Sequence, residues 1–536
     1  MRKARHRCAL ISCPSRTYPE QAFPSRGESL ALGYIAAAAR DQGHEVVAFD
    51  AGFQHLSIKE TLTQLHDQQF EVLALSVLSH AELSIALELV NHLCTERAIR
   101  HVILGGIPVS CSHADILTSA EHVDSVAIGE GEVILPELLH RLEHDVNWRD
   151  TPGIAYRPKE GHIRVNRNPA YTLELDALPF PLRQSRESSA PHNRYWSSHY
   201  EVITSRGCPF RCSFCCIREY TRSASIPVYR RRSVANVLHE LDVLVRQHGA
   251  RIISFDDANF IAGKSGREYA LELADGLQRK GLRLQFSVAL RSPDVDEPLL
   301  AGLKKVGLTG VVLGVESGVQ RILDYYNKGV TVAENTRAIR VIQRLGLACY
   351  PGFIFYVPDI TFEEVRQNVD YLKEMRLLSP ERFQALLPYP GTPIATRLAM
   401  EGVLEPGSAE TGFVGQFRLA DQRVHVFKQM IDHSRDLVRM HSGRAEEIKL
   451  TYEQTVRRGG RSLTGAKLQR AREGMQAVRA AIHEMFTVSV EASLEMAEAF
   501  SSSTAALASL SASLAGPSRS CEESLDAIAR LSAVAV

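Results

Sequence analysis

"SRGCPFRCSFCCI", residues 205–217, sets thiols at Cys208, Cys212 and Cys215 in a C-x3-C-x2-C spacing and adds Cys216 beside them. The run follows "YEVITS" (200–205), an alternating β-branched stretch, so the cysteines occupy a loop just beyond a strand. Three thiolates spaced this way can hold three corners of a cubane iron–sulfur cluster, leaving one iron without a protein ligand. Structural zinc is the alternative. It asks for four ligands, typically as two separated pairs, and no second C-x2-C pair occurs in the chain. Cys216 is a candidate fourth thiolate, although adjacent side chains diverge.

Downstream of the loop, strand-like runs alternate with helical patterns. The runs are "RIISFDD", "LRLQFSVAL", "TGVVLGVES", "LACYPGFIFYV" and "RFQALLPYP", with "SVANVLHELDVLVRQHG" and "TFEEVRQNVDYLKEM" among the helices between them. Together with "YEVITS" they make six βα units over 198–405, which fit a partial barrel better than a second open sheet. Upstream, from 1 to 145, "CALIS", "HEVVAFD", "EVLALSV", "HVILGG" and "DSVAIG" alternate with helices such as "ESLALGYIAAAARDQG". That pattern predicts a doubly wound α/β sheet with ligands beyond the carboxyl ends of its strands. Residues 146–197 are proline-bearing, contain an expected hairpin in "GIAYRPKEGHIRVN", and read as a linker. From 406 to 536 strand signals vanish. "LTGAKLQRAREGMQAVRAAIHEMFTVSVEASLEMAEAF" reads as long helix, and the Ala/Ser-biased "SSSTAALASLSASLAGPSRS" reads as a mobile stretch.

A chain of 536 residues exceeds what one core usually serves, so several domains are expected. Lys+Arg 62 balances Asp+Glu 62, which leaves no net field to attract nucleic acid or anionic lipid. No 18-residue apolar span occurs, and the expected location is cytoplasmic, with no membrane partner. Thiols stay reduced there, so a tight cysteine group points to metal binding or catalysis before disulfides.

The cluster loop and the barrel-like region resemble the radical S-adenosylmethionine (SAM) superfamily, whose signature is CxxxCxΦC with Φ aromatic, here Phe214. The likeness continues through "FDDANF" (255–260), "SVALR" (287–291), "LGVESG" (313–318) and "PYPGTP" (388–393). It implies that Cys208, Cys212 and Cys215 ligate a [4Fe–4S] cluster whose open iron is chelated by the amine and carboxylate of SAM. One electron then cleaves the sulfonium to a 5′-deoxyadenosyl radical, while the protein positions and shields. By the same likeness Phe214 lies near the adenine and Asp256 and Asp257 meet the methionine ammonium. Ser287, Arg291 and Glu316 contact ribose and carboxylate. The structural alternatives are a turn cap for either aspartate and an ion pair between Glu316 and Arg291. Lys328 resembles a family lysine but reads as a solvated charge at a helix end.

A doubly wound sheet ahead of such a barrel resembles the cobalamin-binding domain of the cobalamin-dependent branch. "SVL" (Ser76 to Leu78) and the pair Gly105 and Gly106 resemble its SxL and GG elements, and "GEGE" adds Gly129 and Glu130 at a strand-to-helix turn. Strand-end glycines let a nucleotide tail press on backbone, and a small hydroxyl can bond a buried ring nitrogen. The DxHxxG motif that places histidine on cobalt is absent. His80 is a candidate for the corrin's lower face, with a helix cap or surface residue as the alternative reading. A generic nucleotide-binding sheet is the alternative for the whole domain.

The resemblance implies a cobalamin-dependent radical SAM methyltransferase acting on an unactivated carbon of a small-molecule or peptide substrate in specialised metabolism. Flavodoxin or ferredoxin would supply electrons. The alternatives are a non-methylating cyclase or oxidase like the anaerobic cyclase of bacteriochlorophyll synthesis, and a cluster and cobalamin redox sensor. The linker would clasp the two domains. The region from 406 would cover the barrel mouth, or act as a packing appendage or oligomer contact.

Overall fold

The computed structural model describes residues 7–14, 27–168, 174–183, 198–408, 411–458, 465–499 and 503–533. Five short strands, β1 (Cys8–Ser12), β2 (Val46–Asp50), β3 (Val72–Ser76), β4 (His101–Gly105) and β5 (Ser125–Ala127), pair in parallel in the order β2-β1-β3-β4-β5. This is a doubly wound order with its switch point between β1 and β3. Alternate residues feed two cores: Ala9, Ile11, Leu73 and Leu75 on one face, Cys8, Leu10, Val72 and Ala74 on the other. Helices cover both faces, which is why β1 and β3 read as unbroken apolar runs.

The hairpin expected in the linker forms, as β6 (Ile154–Tyr156) and β7 (Arg164–Val165), but it is not a connector. β6 pairs antiparallel with β5, so the hairpin completes a seven-stranded first sheet. Without it β5 would present a bare edge. The later part of the linker, 184–197, lies outside the described residues.

The second sheet is parallel throughout, in the order β14 (Ala348–Phe353), β13 (Leu308–Glu316), β12 (Gln285–Arg291), β11 (Ile252–Phe255), β8 (His199–Val202). The sixth position is taken by a shorter stretch, in which Tyr356 bridges Ala385 in parallel and the Phe355 amide donates to the Gln384 carbonyl at 2.7 Å. Val311, Leu313 and Val315 turn outward into one core shared with the helices, leaving the opposite face concave. A two-stranded ribbon of β9 (Ser205–Gly207) and β10 (Tyr229–Arg231) flanks the cysteine loop.

Three long helices, Gln422–Arg458, Gly465–Ala499 and Ser503–Ala533, pack on one another. The Ala/Ser-rich stretch expected to be mobile is therefore helix from Ser503 onward. Ala506, Leu510, Leu514, Cys521 and Leu525 form its buried stripe at intervals of four and seven, and small residues beside them allow close helix approach. The bundle seats Phe427 and Phe486 against Phe383, beside the sixth strand position. Lys373 to Glu491 (2.9 Å) and Arg366 to Glu498 (2.7 Å) tie it to the outer helix Phe362–Glu374. It thus braces the barrel's side.

Candidate functional site between the two sheets

The carboxyl ends of both sheets meet at a cavity of about 500 Å³. The first sheet contributes Ser76, Leu78, Gly105, Gly106, Gly129 and Glu130, and the barrel contributes Ser205, Arg206, Gly207, Ile217, Tyr220, Asp256 and Asp257. All six cobalamin candidates therefore lie on one wall. Among the described residues, none of the three-helix bundle lines the cavity, while Gly412 and Phe413, just before it, pack against His80 and the core of the first domain.

That first wall is largely backbone. Gly106 sits at φ 119°, and a Cβ there would lie 2.0 Å from the Val77 carbonyl oxygen, so only glycine fits the turn. Gly105 is different: its missing Cβ would meet only the Ala127 Cβ, at 3.5 Å, and its absence leaves room in the cavity. Leu78, 41% exposed, presents its side chain there. An apolar, glycine-walled space at the strand ends suits a large flat ligand with a polar tail, which is the shape of cobalamin.

Glu130 lines the same wall, but its carboxylate is already committed across the interface. It accepts from Arg206 at 2.9 Å and from Arg230 at 2.6 and 3.0 Å, and Glu132 accepts from Arg206 at 2.5 Å. Burial would raise the Glu130 pKa, yet the hydrogen bonds and charges of Arg230 and Arg206 outweigh it and leave it lowered. Glu130 is thus an interdomain ion-pair residue. Asn168, from the linker, adds to the clasp by donating to the carbonyls of Ile128 (2.8 Å) and Ala224 (2.7 Å).

On the opposite side the cysteine loop is fixed by backbone bonds. The Cys208 amide donates to Val228 at 3.0 Å and the Cys215 amide to Cys212 at 3.2 Å, with Cys215 capping the helix Cys216–Ser223. All four thiols are half-buried and free of disulfides. Burial pushes Cys215 up to about 12, and the neighbouring Cys216, Cys212 and Cys208 add to it. Cys208, Cys212 and Cys215 lie within electrostatic reach of one another, and as thiolates they would need a strongly cationic centre, such as an iron–sulfur cluster, to offset burial and mutual repulsion; as they stand, no three His, Cys, Asp or Glu among the described residues are grouped to hold a single metal ion. Cys216 lies within electrostatic reach of Cys111 of the first domain, whose thiol burial pushes up to about 12 with Cys216 and Glu219 adding.

The SAM candidates separate. Asp257 is buried and accepts from the amides of Thr204 (3.0 Å) and Ser205 (2.5 Å) and from their hydroxyls at 3.1 and 2.6 Å. Three of these bonds fall on Oδ1 and one on Oδ2, tying Asp257 to the strand-to-loop turn while it lines the cavity. Burial lifts it to about 6 despite those bonds. Its neighbour Asp256 opens onto the cavity, and the surrounding protein raises its pKa by desolvation. Ser287 is half-buried on the concave face of β12, level with Ser254 of β11.

Arg291 and Glu316 do not pair with each other. Arg291 donates to Cys212 Sγ at 3.4 Å and to the Lys328 carbonyl, with its guanidinium 3.8 Å from the centre of the Phe210 ring. Glu316 accepts from Lys328 Nζ at 2.7 Å. Lys328 is 6% exposed, so it is not the solvated helix-end charge that its sequence context suggests. Its Nζ lies 5.9 Å from the centre of the Phe214 ring, which packs edge-on against Tyr326 at 5.2 Å. Glu316 holds a left-handed φ of 63° at a register shift between β13 and β14, backbone strain for a non-glycine residue. Cys212, Arg291, Lys328, Glu316 and Phe214 therefore form one connected group.

His80 is buried and stacks on Tyr389 of "PYPGTP" at 4.5 Å, not among the cavity-lining residues. Burial lowers its pKa to about 4, so it stays neutral. Its ring contact is with Tyr389 of the barrel. Arg206 and Tyr389 lie inside quoted motifs, but neither they nor Arg230 were singled out there as site residues.

Residues 202–372 match the Radical SAM superfamily, and residues 22–139 match the B12 binding domain. The chain is a B12-binding radical SAM enzyme. Its cofactors are a [4Fe–4S] cluster, SAM and cobalamin. The enzyme is 25% identical over 390 residues to an uncharacterised methyltransferase of Pyrococcus horikoshii, covering 72% of this chain and 81% of that one. It is 28% identical over 362 residues to the anaerobic magnesium-protoporphyrin IX monomethyl ester cyclase of Cereibacter sphaeroides, covering 63% of this chain but only 55% of the cyclase. In fold it is similar to the cobalamin-dependent SAM radical enzyme OxsB solved with aqua-cobalamin and SAM bound. The TM-score is 0.70 at 18% identity, covering 90% of this chain and 72% of that one. No helix among the described residues is long and apolar enough to cross a membrane.

Proposed function

We propose that the enzyme transfers a methyl group from SAM to an unactivated carbon of a small-molecule or peptide substrate, within specialised metabolism. The observation that carries this reading is the single cavity with a glycine wall of the B12-binding domain on one side and the approach to the cysteine loop on the other. When bound, the cluster supplies the electron that cleaves SAM and cobalamin carries the methyl group. Cys208, Cys212 and Cys215 hold the cluster, Ser76, Leu78, Gly105, Gly106 and Gly129 seat the corrin and its tail, and Asp256, Ser287 and Phe214 face SAM. Lys328 neutralises Glu316 and Arg291 steadies Cys212, so that the charges at the mouth are paired before a ligand arrives. Glu130, Arg206 and Arg230 keep the two walls in register and limit water entry. The greater share of the methyltransferase relative that is spanned favours methyl transfer over ring formation. A flavodoxin or ferredoxin is the proposed electron donor.

The test is anaerobic incubation of reconstituted protein with reductant, cobalamin and methyl-labelled SAM. S-adenosylhomocysteine and 5′-deoxyadenosine formed together support methyl transfer. 5′-Deoxyadenosine alone would replace it with the cyclase-like reading, and neither product would point to a sensor.

A further inference from the structure

The first domain meets the rest of the chain at a second joint, away from the Glu130 clasp. It is built on His80, the first residue of the helix His80–Glu96 that follows the "SVL" loop. The start of that helix is fixed to the cavity wall: Glu82, in its first turn, accepts from the Leu78 amide at 2.9 Å, and Leu78 lines the cavity. His80 is gripped from two directions. The Tyr389 ring stacks on the imidazole at 4.5 Å with the planes 26° apart, and Gly412 comes so close that a Cβ there would lie 1.9 Å from the His80 carbonyl oxygen. The imidazole offers a flat packing surface. It is buried, its Nε2 has no hydrogen-bond partner among the described residues, and burial keeps it neutral.

Tyr389 belongs to a turn pressed onto the cysteine loop. Its carbonyl accepts from the Thr392 hydroxyl at 2.7 Å, and the Ile394 amide donates to the carbonyl of Ser213, which stands between Cys212 and Cys215, at 3.1 Å. On the same turn Gly391 lets the chain lie against the helix Cys216–Ser223, with Glu219 Cγ 2.9 Å from where a Cβ would stand. Direct contacts therefore run from Leu78 on the first wall through the helix start, His80 and Tyr389 to the cysteine loop. The Glu130 clasp follows β5 and this joint follows β3, two places away in the first sheet, which is about 10 Å. One joint alone would leave the domains free to rock about it, whereas two set apart by that span fix the angle between the walls.

We propose that the His80–Tyr389 stack is a positioning contact that sets how far cobalamin stands from the cluster, and that it acts through ring packing, not through hydrogen bonding or ligation of cobalt. This rests on the seating of the two cofactors proposed for methyl transfer, but it is measured without turnover.

The experiment is electron paramagnetic resonance on anaerobic protein loaded with both cofactors, comparing microwave-power saturation of the cob(II)alamin signal with the cluster oxidised and with it reduced. The reduced cluster is paramagnetic and should speed cob(II)alamin relaxation in the unsubstituted protein, by an amount that falls steeply with separation. His80→Ala and Tyr389→Ala should lose much of that enhancement at unchanged iron and cobalamin content, while His80→Phe and Tyr389→Phe, which keep a flat ring, should retain it. Where an alanine variant loses a cofactor, His80→Leu or Tyr389→Leu, which fills the space without a flat ring, decides the matter: lost enhancement supports the stack and full enhancement refutes it. Enhancement unchanged in the ringless variants, or lost as fully in the phenylalanine variants, would overturn the proposal. So would nitrogen splitting of the cob(II)alamin signal that disappears in His80→Phe, since the imidazole would then be a cobalt ligand. Relaxation needs neither SAM nor substrate, so its failure leaves methyl transfer standing, and absent methyl transfer leaves the relaxation result standing.

Discussion

The cavity's two walls solve opposite problems. On the first-domain side Gly105 leaves space in the cavity, while Gly106 and Gly129 hold positive-φ turns where a Cβ would strike Val77 or Asn168, so that backbone lines the wall. On the barrel side the charged groups other than Asp256 are already satisfied, Asp257 by Thr204 and Ser205 and Arg206 and Arg230 by Glu130, as is Glu316 by Lys328 behind the lining. The contrast teaches that one wall is specified by what is left out, which tolerates little addition. The other is specified by pairing, which tolerates little deletion.

The largest expected effect tests the cysteine loop. Cys208→Ala should remove the brown chromophore and all SAM cleavage, while Cys216→Ala keeps most of both; equal losses by absorption and product assay would sink the three-ligand assignment. Next, the glycine wall should split. Gly106→Ala forces a Cβ onto the Val77 carbonyl and should cost about 3 kcal/mol in chemical unfolding. Gly105→Ala should unfold within about 0.5 kcal/mol of the unsubstituted protein yet retain little cobalamin after reconstitution. If the two glycine variants behaved alike, the distinction between a turn glycine and a space-giving glycine would fail.

On the paired wall, Lys328→Met strands a buried carboxylate at Glu316 and should cost about 3 kcal/mol while slowing SAM cleavage. Double substitution with Glu316→Gln should recover most of the stability but not the activity. The smallest effects are in pH dependence, and they oppose each other. Glu130 is held below its ordinary 4.5, so its contribution is full above that value and is lost as pH falls through its lowered folded pKa. Asp257 is raised from 3.8 to about 6, so its folded state holds the proton more tightly and stability declines as pH rises through that window. Unfolding midpoints followed across that range should lose their acid limb in Glu130→Gln only; an unchanged limb would show that the interdomain pair adds nothing.

Much of this architecture could be read from letters because it is written in local periodicity. Short apolar runs alternating with helical patterns marked β1 to β5, the spacing of Cys208, Cys212 and Cys215 with Phe214 marked the cluster loop, and Gly105 and Gly106 stood at a strand end. What stayed hidden depended on partners far along the chain. That β6 and β7 join the first sheet depends on β5 having an open edge, and the tail's Ala/Ser bias became helix because neighbouring helices bury its stripe. The fate of each charge was likewise a matter of packing. Asp256 and Asp257 are adjacent and alike in sequence and both line the cavity, yet Asp256 is exposed while Asp257 is buried and accepts from four donors. Sequence alone determined which elements form and which thiols converge, since both follow from spacing along one strand, helix or loop. Only the tertiary structure decided that Lys328 is buried against Glu316 and that Glu130 clasps Arg206 and Arg230, because a side chain's counter-ion is chosen by what the fold brings beside it.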